Sequence, residues 1–214
     1  MIEIDEVLAA LAMHRPLFHS EADFQHAFAW EVHRRLPTAS VRLELPVQVE
    51  DKFLHIDVWV VGQAEVLAVE LKYKTRRLSV HIGDEQYKLK SQSAQDIGRY
   101  DFIKDIQRLE GVATTHNRFT GFAILLTNDS TYWMKRENHE TVDAAFRIHN
   151  GQILEGVFDW GVHASEGTKK NREQSLVLQN RYRLNWMDYS RPSLASYGTF
   201  RSLAVKVVQD TRVS

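Results

Sequence analysis

Val66-Leu67-Ala68-Val69-Glu70-Leu71-Lys72 is an apolar run that ends in two charges two residues apart. Its partner upstream is Leu54-His55-Ile56-Asp57-Val58-Trp59-Val60, in which Leu54, Ile56, Val58 and Val60 alternate with His55, Asp57 and Trp59. A period of two is that of a strand, so Ala68, Glu70 and Lys72 share one face of the second segment. The spacing predicts strands over roughly 53–61 and 65–72, joined by a hairpin with Gln63 and Ala64 in its loop. Paired residue numbers then sum to 127, which sets Asp57 opposite Glu70 and His55 opposite Lys72, with Cβ atoms about 5 Å apart. Two neighbouring carboxylates repel each other, and on a partly buried surface they need a proton or a cation between them. Charge inside an apolar run is costly, which favours a functional reading over a salt-bridged surface patch.

Upstream, Val41, Leu43, Leu45, Val47 and Val49 alternate with polar residues, and Pro46 places that strand towards a sheet edge. Three strands with tight links form an antiparallel meander. Before it, Ser20 and Asp23 resemble a capping box, and Phe24, Ala27, Phe28, Val32 and Leu36 recur at helical spacing over 20–36. A shorter helix over 2–14 carries Ile4, Val7, Leu8 and Leu11 and stops at Pro16. Downstream, a polar stretch to about residue 92 precedes a helix with Ala94, Ile97, Ile103, Ile106 and Leu109 on one face and Gly111 as its stop. Residues 120–127 read as a buried central strand. Beyond 130 the pattern predicts a helix near 139–149 and strands near 176–186 and 199–208.

The chain has 214 residues, with 27 basic and 28 acidic side chains and no cysteine. That length suits one domain with a core of its own. Without cysteine there are no thiolate metal sites and no thiol nucleophile, so any metal is held by oxygen or imidazole. The even charge balance argues against non-specific coating of nucleic acid. No apolar run reaches membrane-span length and no targeting signal is visible, so a cytoplasmic protein without membrane association is expected. The ten histidines show no HExxH pattern, and Walker A, GxGxxG and GxSxG patterns are absent. His116-Asn117-Arg118 lacks the other ligands of an HNH nuclease.

Asp57 followed at thirteen positions by Glu70-Leu71-Lys72 resembles the motif of the PD-(D/E)xK nuclease superfamily. Ile56 stands where the proline of that name would be, a variation common in the superfamily. The order helix, three strands, helix, strand over about 20–127 is similar to its core. The resemblance implies an α/β, restriction-endonuclease-like αβββαβ core with a mixed central sheet flanked by helices. Residues 130–214 would form a C-terminal α+β extension within a single domain. It also implies a metal-dependent nuclease in which Asp57, Glu70 and the main-chain carbonyl of Leu71 bind Mg²⁺ or Mn²⁺, while Lys72 assists the attacking water. Glu21, on the first core helix, matches an acid that several members add; a first-turn acid is equally explained by the helix dipole. Gln95, on the second helix, is the candidate for a further site residue, whereas Asp105 and Arg108 read as solvated helix residues with i,i+4 pairing.

Substrate contact needs local positive charge. Residues 71–90 carry a net +4, with Lys74, Arg76 and Arg77 just beyond the motif as candidate substrate-binding residues. A second +4 cluster at 169–191 interleaves Tyr182 and Trp186 for base stacking. The partner implied is nucleic acid, DNA before RNA, and a homodimer is compatible with it. The rival reading is a non-catalytic nucleic-acid- or protein-binding module that keeps the fold.

Overall fold

The computed structural model describes residues 2–63, 65–135 and 141–208. α1 (Ile4–His14) buries Ile4, Val7, Leu8 and Leu11. In α2 (Glu21–Arg35) the Ser20 hydroxyl accepts from Asp23 N at 3.1 Å, the expected cap, and Phe24, Phe28, Ala29 and Val32 turn inwards. The meander follows as β1 (Ser40–Val49), β2 (Lys52–Val61) and β3 (Val66–Lys74). After a small hairpin of β4 (Leu78–Ile82) and β5 (Glu85–Leu89), α3 (Gln95–Thr115) crosses over to β6 (Phe119–Thr127). β6 lies parallel to β3, as the long crossover requires.

The C-terminal part supplies β7 (Ile153–Phe158), the one-turn α4 (Glu166–Lys169), β8 (Leu176–Arg183), β9 (Trp186–Ser190) and β10 (Phe200–Val208). The central sheet has the order β1-β2-β3-β6-β10-β9 and is mixed, β3–β6 being its parallel pair. Two of its six strands therefore come from residues beyond 130. β1 is an edge strand, consistent with Pro46.

Alternation of side chains sends Ala68, Ala123, Leu125, Leu203 and Val205 to one face, where α3 and the β7–β8 pair cover them. Leu67, Val69, Ile124 and Leu126 face the opposite side, under α1 and α2. Helices thus flank both faces of a mixed sheet. Among the described residues no helix is long and apolar enough to cross a membrane.

Four expectations are corrected. The polar stretch before residue 92 contains the β4–β5 hairpin, which buries Leu78, Tyr87 and Leu89 and turns at Gly83, φ +58°. Strands of five residues with so few inward positions leave little pattern to read. α3 does not stop at Gly111 but runs on to Thr115; a Cβ at Gly111 would lie 3.4 Å from Val49, so the glycine admits β1 against the helix. The helix near 139–149 is, over the described residues 141–149, a single 3₁₀ turn at Ala144–Phe146; residues 139 and 140 lie outside the described ones. The strand near 176–186 is two strands, β8 and β9, belonging to different sheets.

Candidate active site

β2 and β3 pair in the expected register, from Val61↔Val66 to Val58↔Val69, and there the ladder ends. Asp57 and Glu70 are the next residues on either strand, and they mark the crotch of a fork. Its cause lies in β1, where Glu44 takes a left-handed φ of +51° and the β1–β2 pairing skips the Glu44–Asp57 position. Both strands change face at this point. Leu43 and Val58 pack under α1 and α2, whereas Leu45 and Ile56, two residues away, pack against the α3 core. The far half of the β1–β2 hairpin turns away from β3 and leaves the edge of β3 without a partner strand. His55 therefore does not pair with Lys72; it is exposed, and its carbonyl accepts from Arg108.

Carboxylates take the vacated ladder positions. Asp57 Oδ2 accepts from Leu71 N at 2.6 Å, and Glu21 Oε2 from Tyr73 N at 2.7 Å. Because N–H and C=O of an extended residue point to the same edge, the Leu71 carbonyl also faces the fork. Gln25, one turn after Glu21, donates to the Asp57 carbonyl at 2.8 Å and to Glu44 Oε1 at 2.7 Å. α2 thereby holds both prongs in place.

α3 closes the opposite side. Asp105, 3% exposed, lies 2.7 Å from Lys72 Nζ, and Arg108 Nη2 lies 3.1 Å from Glu70 Oε1. The reading of Asp105 and Arg108 as a solvated helix pair is corrected: they face the buried end of the fork. The signal was present, since Asp105 stands in the apolar stripe of Phe102, Ile106 and Leu109. Gln25 and Glu44 were also missed; nothing in a period-two pattern marks a strand residue that will adopt positive φ.

Burial sets the electrostatics. It pushes Asp57 up to about 6 against the pull of the Leu71 N–H and Lys72. Burial and then Asp105 push Glu70 up to about 9, Arg108 opposing. Burial works to discharge Lys72, but Asp105, Asp57 and Glu21 outweigh it and hold the ammonium charged. Buried Glu70 and Asp105 and half-buried Asp57, with Glu21 and Glu44 at the rim, thus outnumber the two cations, and a retained proton offsets part of the deficit. The deficit fits a hard divalent ion: Asp57, Glu70 and the Leu71 carbonyl are oxygen donors, and buried Glu70 Oε1 lacks an aligned hydrogen-bond donor. Among the described residues no group of three or more His, Asp or Glu side chains forms a ready cage. The carbonyl and solvent or substrate oxygens would complete the shell, as is usual for Mg²⁺.

The remaining candidates lie elsewhere. Gln95 donates to Asp129 Oδ2 at 3.0 Å at the far end of β6. Ten helical residues, about 15 Å of rise, separate it from Asp105, so the structure does not bring it to the fork. Lys74 ends β3, half-buried. Arg76 lies over the Tyr197 ring, 5.1 Å from its centroid, and Arg77 is exposed; they flank the fork beyond Lys72 and touch none of its acids. In the second basic cluster, Tyr182 and Trp186 are buried and Asp101 clamps Arg172 at 2.7 and 2.8 Å, so those rings are not free to stack on bases. No protein-family model, curated protein or solved structure matches the chain.

Proposed function

We propose that the fork is the active site of a divalent-metal-dependent nuclease of the PD-(D/E)xK type, hydrolysing phosphodiester bonds, DNA before RNA. The observation that carries it is the convergence of Asp57, Glu70, Lys72 and the edge of Leu71 at a strand split, with more acids than cations. The path α2, β1–β3, α3, β6, with β6 parallel to β3, is also the order that a restriction-endonuclease-like core requires.

Asp57, Glu70 and the Leu71 carbonyl would hold Mg²⁺ or Mn²⁺, which when bound supplies Lewis-acid polarisation of the phosphate and a more acidic attacking water. Leu71 N–H fixes the Asp57 carboxylate in the plane of the fork, so little reorganisation is needed on binding. Lys72, kept charged by Asp105, offers a cation to the negative charge that develops on the phosphate. Glu21, bound to Tyr73 N, holds the β3 edge open. Lys74, Arg76 and Arg77, which follow Lys72 along the chain, would contact the backbone of a bound strand.

Purified protein incubated with plasmid, linear and branched DNA, and with RNA, is expected to cut at least one of them with Mg²⁺ or Mn²⁺. Asp57→Ala and Lys72→Ala are each expected to lower the rate by 100-fold or more; activity surviving in a folded variant would dismiss the assignment. One observation favours a non-catalytic binding module: both cations of the fork are already paired with its acids. Such a module would bind nucleic acid or protein without a metal-dependent rise in thermal stability.

A further inference from the structure

Arg108 bridges the fork without filling it well. Its Nη2 reaches the His55 carbonyl on β2 and Glu70 Oε1 on β3, and Nη1 stands 3.5 Å from Asp105 Oδ1. The contact with Glu70 is not an aligned hydrogen bond, and Arg108 Nε has no partner. Elsewhere in the chain arginines grip carboxylates with two nitrogens, Arg34 on Glu31 at 2.9 and 2.8 Å and Arg172 on Asp101 at 2.7 and 2.8 Å. Arg108 makes no such grip on Glu70. Glu70 is 1% exposed and the Arg108 side chain 24%, so the carboxylate is the more deeply buried of the two.

Resting on the metal-dependent reading of the same fork, we propose that Arg108 is a built-in counter-ion that holds Glu70 until a divalent cation displaces it, whereupon the freed guanidinium clamps the substrate phosphate. Charge supports both halves. Asp57, Glu70 and Asp105, with Glu21 and Glu44 beside them, outnumber Lys72 and Arg108, so a divalent cation can replace the guanidinium at Glu70 and leave it free to meet the negative charge of a phosphodiester. A planar guanidinium also matches two phosphate oxygens, a geometry an ammonium does not offer.

Arg108 competes with the metal, so removing it should tighten metal binding. A residue that only braced the fold would, when lost, loosen the fork and weaken it. Calorimetric titration with Mn²⁺ alone, on the full chain without nucleic acid, reads this directly. Arg108→Gln is expected to bind Mn²⁺ about tenfold tighter than wild type and Arg108→Lys about threefold tighter. At saturating Mn²⁺, Arg108→Gln should cleave nucleic acid at least 100-fold more slowly. Unchanged or weaker Mn²⁺ binding by the variants, with wild type binding, would overturn the counter-ion. Undiminished cleavage would overturn the clamp. Should Arg108→Gln fail to fold, Arg108→Lys decides by the same signs. Wild type binding no Mn²⁺ would overturn the reading of the fork itself, a different result from a wild type that binds and variants that do not tighten.

Discussion

Glu70 is a buried acid that holds its proton to about pH 9, with burial the first cause and Asp105 the second. In the unfolded chain it would ionise near 4.5. Between those values the folded state binds more protons than the unfolded one, so stability from this group falls as pH rises through the window. Below the lower value both states are protonated and the effect vanishes. Asp57 acts in the same sense over a narrower window, from its ordinary value to about 6. Glu70→Gln should therefore raise the melting temperature at pH 8.5, by about 2 kcal/mol or roughly 4–8 °C, and leave it nearly unchanged at pH 4. Thermal unfolding at the two pH values checks this; a variant less stable at pH 8.5 would mean that the Arg108 contact outweighs desolvation. Added Mg²⁺ should stabilise wild type at pH 8.5 and not the variant.

At the level of elements, the hairpin register was readable because period-two burial and a short loop leave little freedom: Val58↔Val69 falls where the alternation of both segments puts it. The end of that ladder was not readable. It depends on Glu44 at positive φ, which an acidic side chain in a regular alternation does not announce. Asp57 and Glu70 were placed together for a reason that proved incomplete, since they meet where pairing stops. Asp105 shows the opposite case, a charge within an apolar helical stripe that spacing alone makes visible. Packing around α3 is close at Gly98, where a Cβ would fall on the buried Tyr132 hydroxyl. Gly98→Ala should cost about 1–3 kcal/mol in spite of alanine's better helix propensity. Tyr132→Phe in the same chain should recover most of the loss, and denaturant unfolding of the two single variants and the double variant measures the coupling.

For the molecule as a whole, the strands that the C-terminal part contributes decide how far the nuclease-like segment stands alone. β10 pairs with β6 along its length, and Leu203, Val205 and Val207 complete the core under α3. Glu110 ties that helix to β8, accepting from the Gln179 and Asn180 N–H groups at 2.9 Å and from the Tyr182 hydroxyl at 2.8 Å. A chain cut after residue 129 would expose the apolar edge of β6 and half of one core, so it should aggregate or unfold. Size-exclusion chromatography and circular dichroism test that; a folded, monomeric fragment would show that the first part is self-sufficient. These long-range pairings escaped the sequence because β9 and β10 show ordinary alternation and nothing local names their neighbours.

A metal-dependent phosphodiesterase site at the fork shows itself in the nicking of DNA. Nicking of supercoiled plasmid is followed against Mn²⁺ concentration for wild type and for Asp57→Asn, which keeps the shape of the side chain and an acceptor for Leu71 N. The expected result is metal-dependent nicking by wild type and a rate at least 100-fold lower in the folded variant. Equal nicking by the two proteins would contradict the claim.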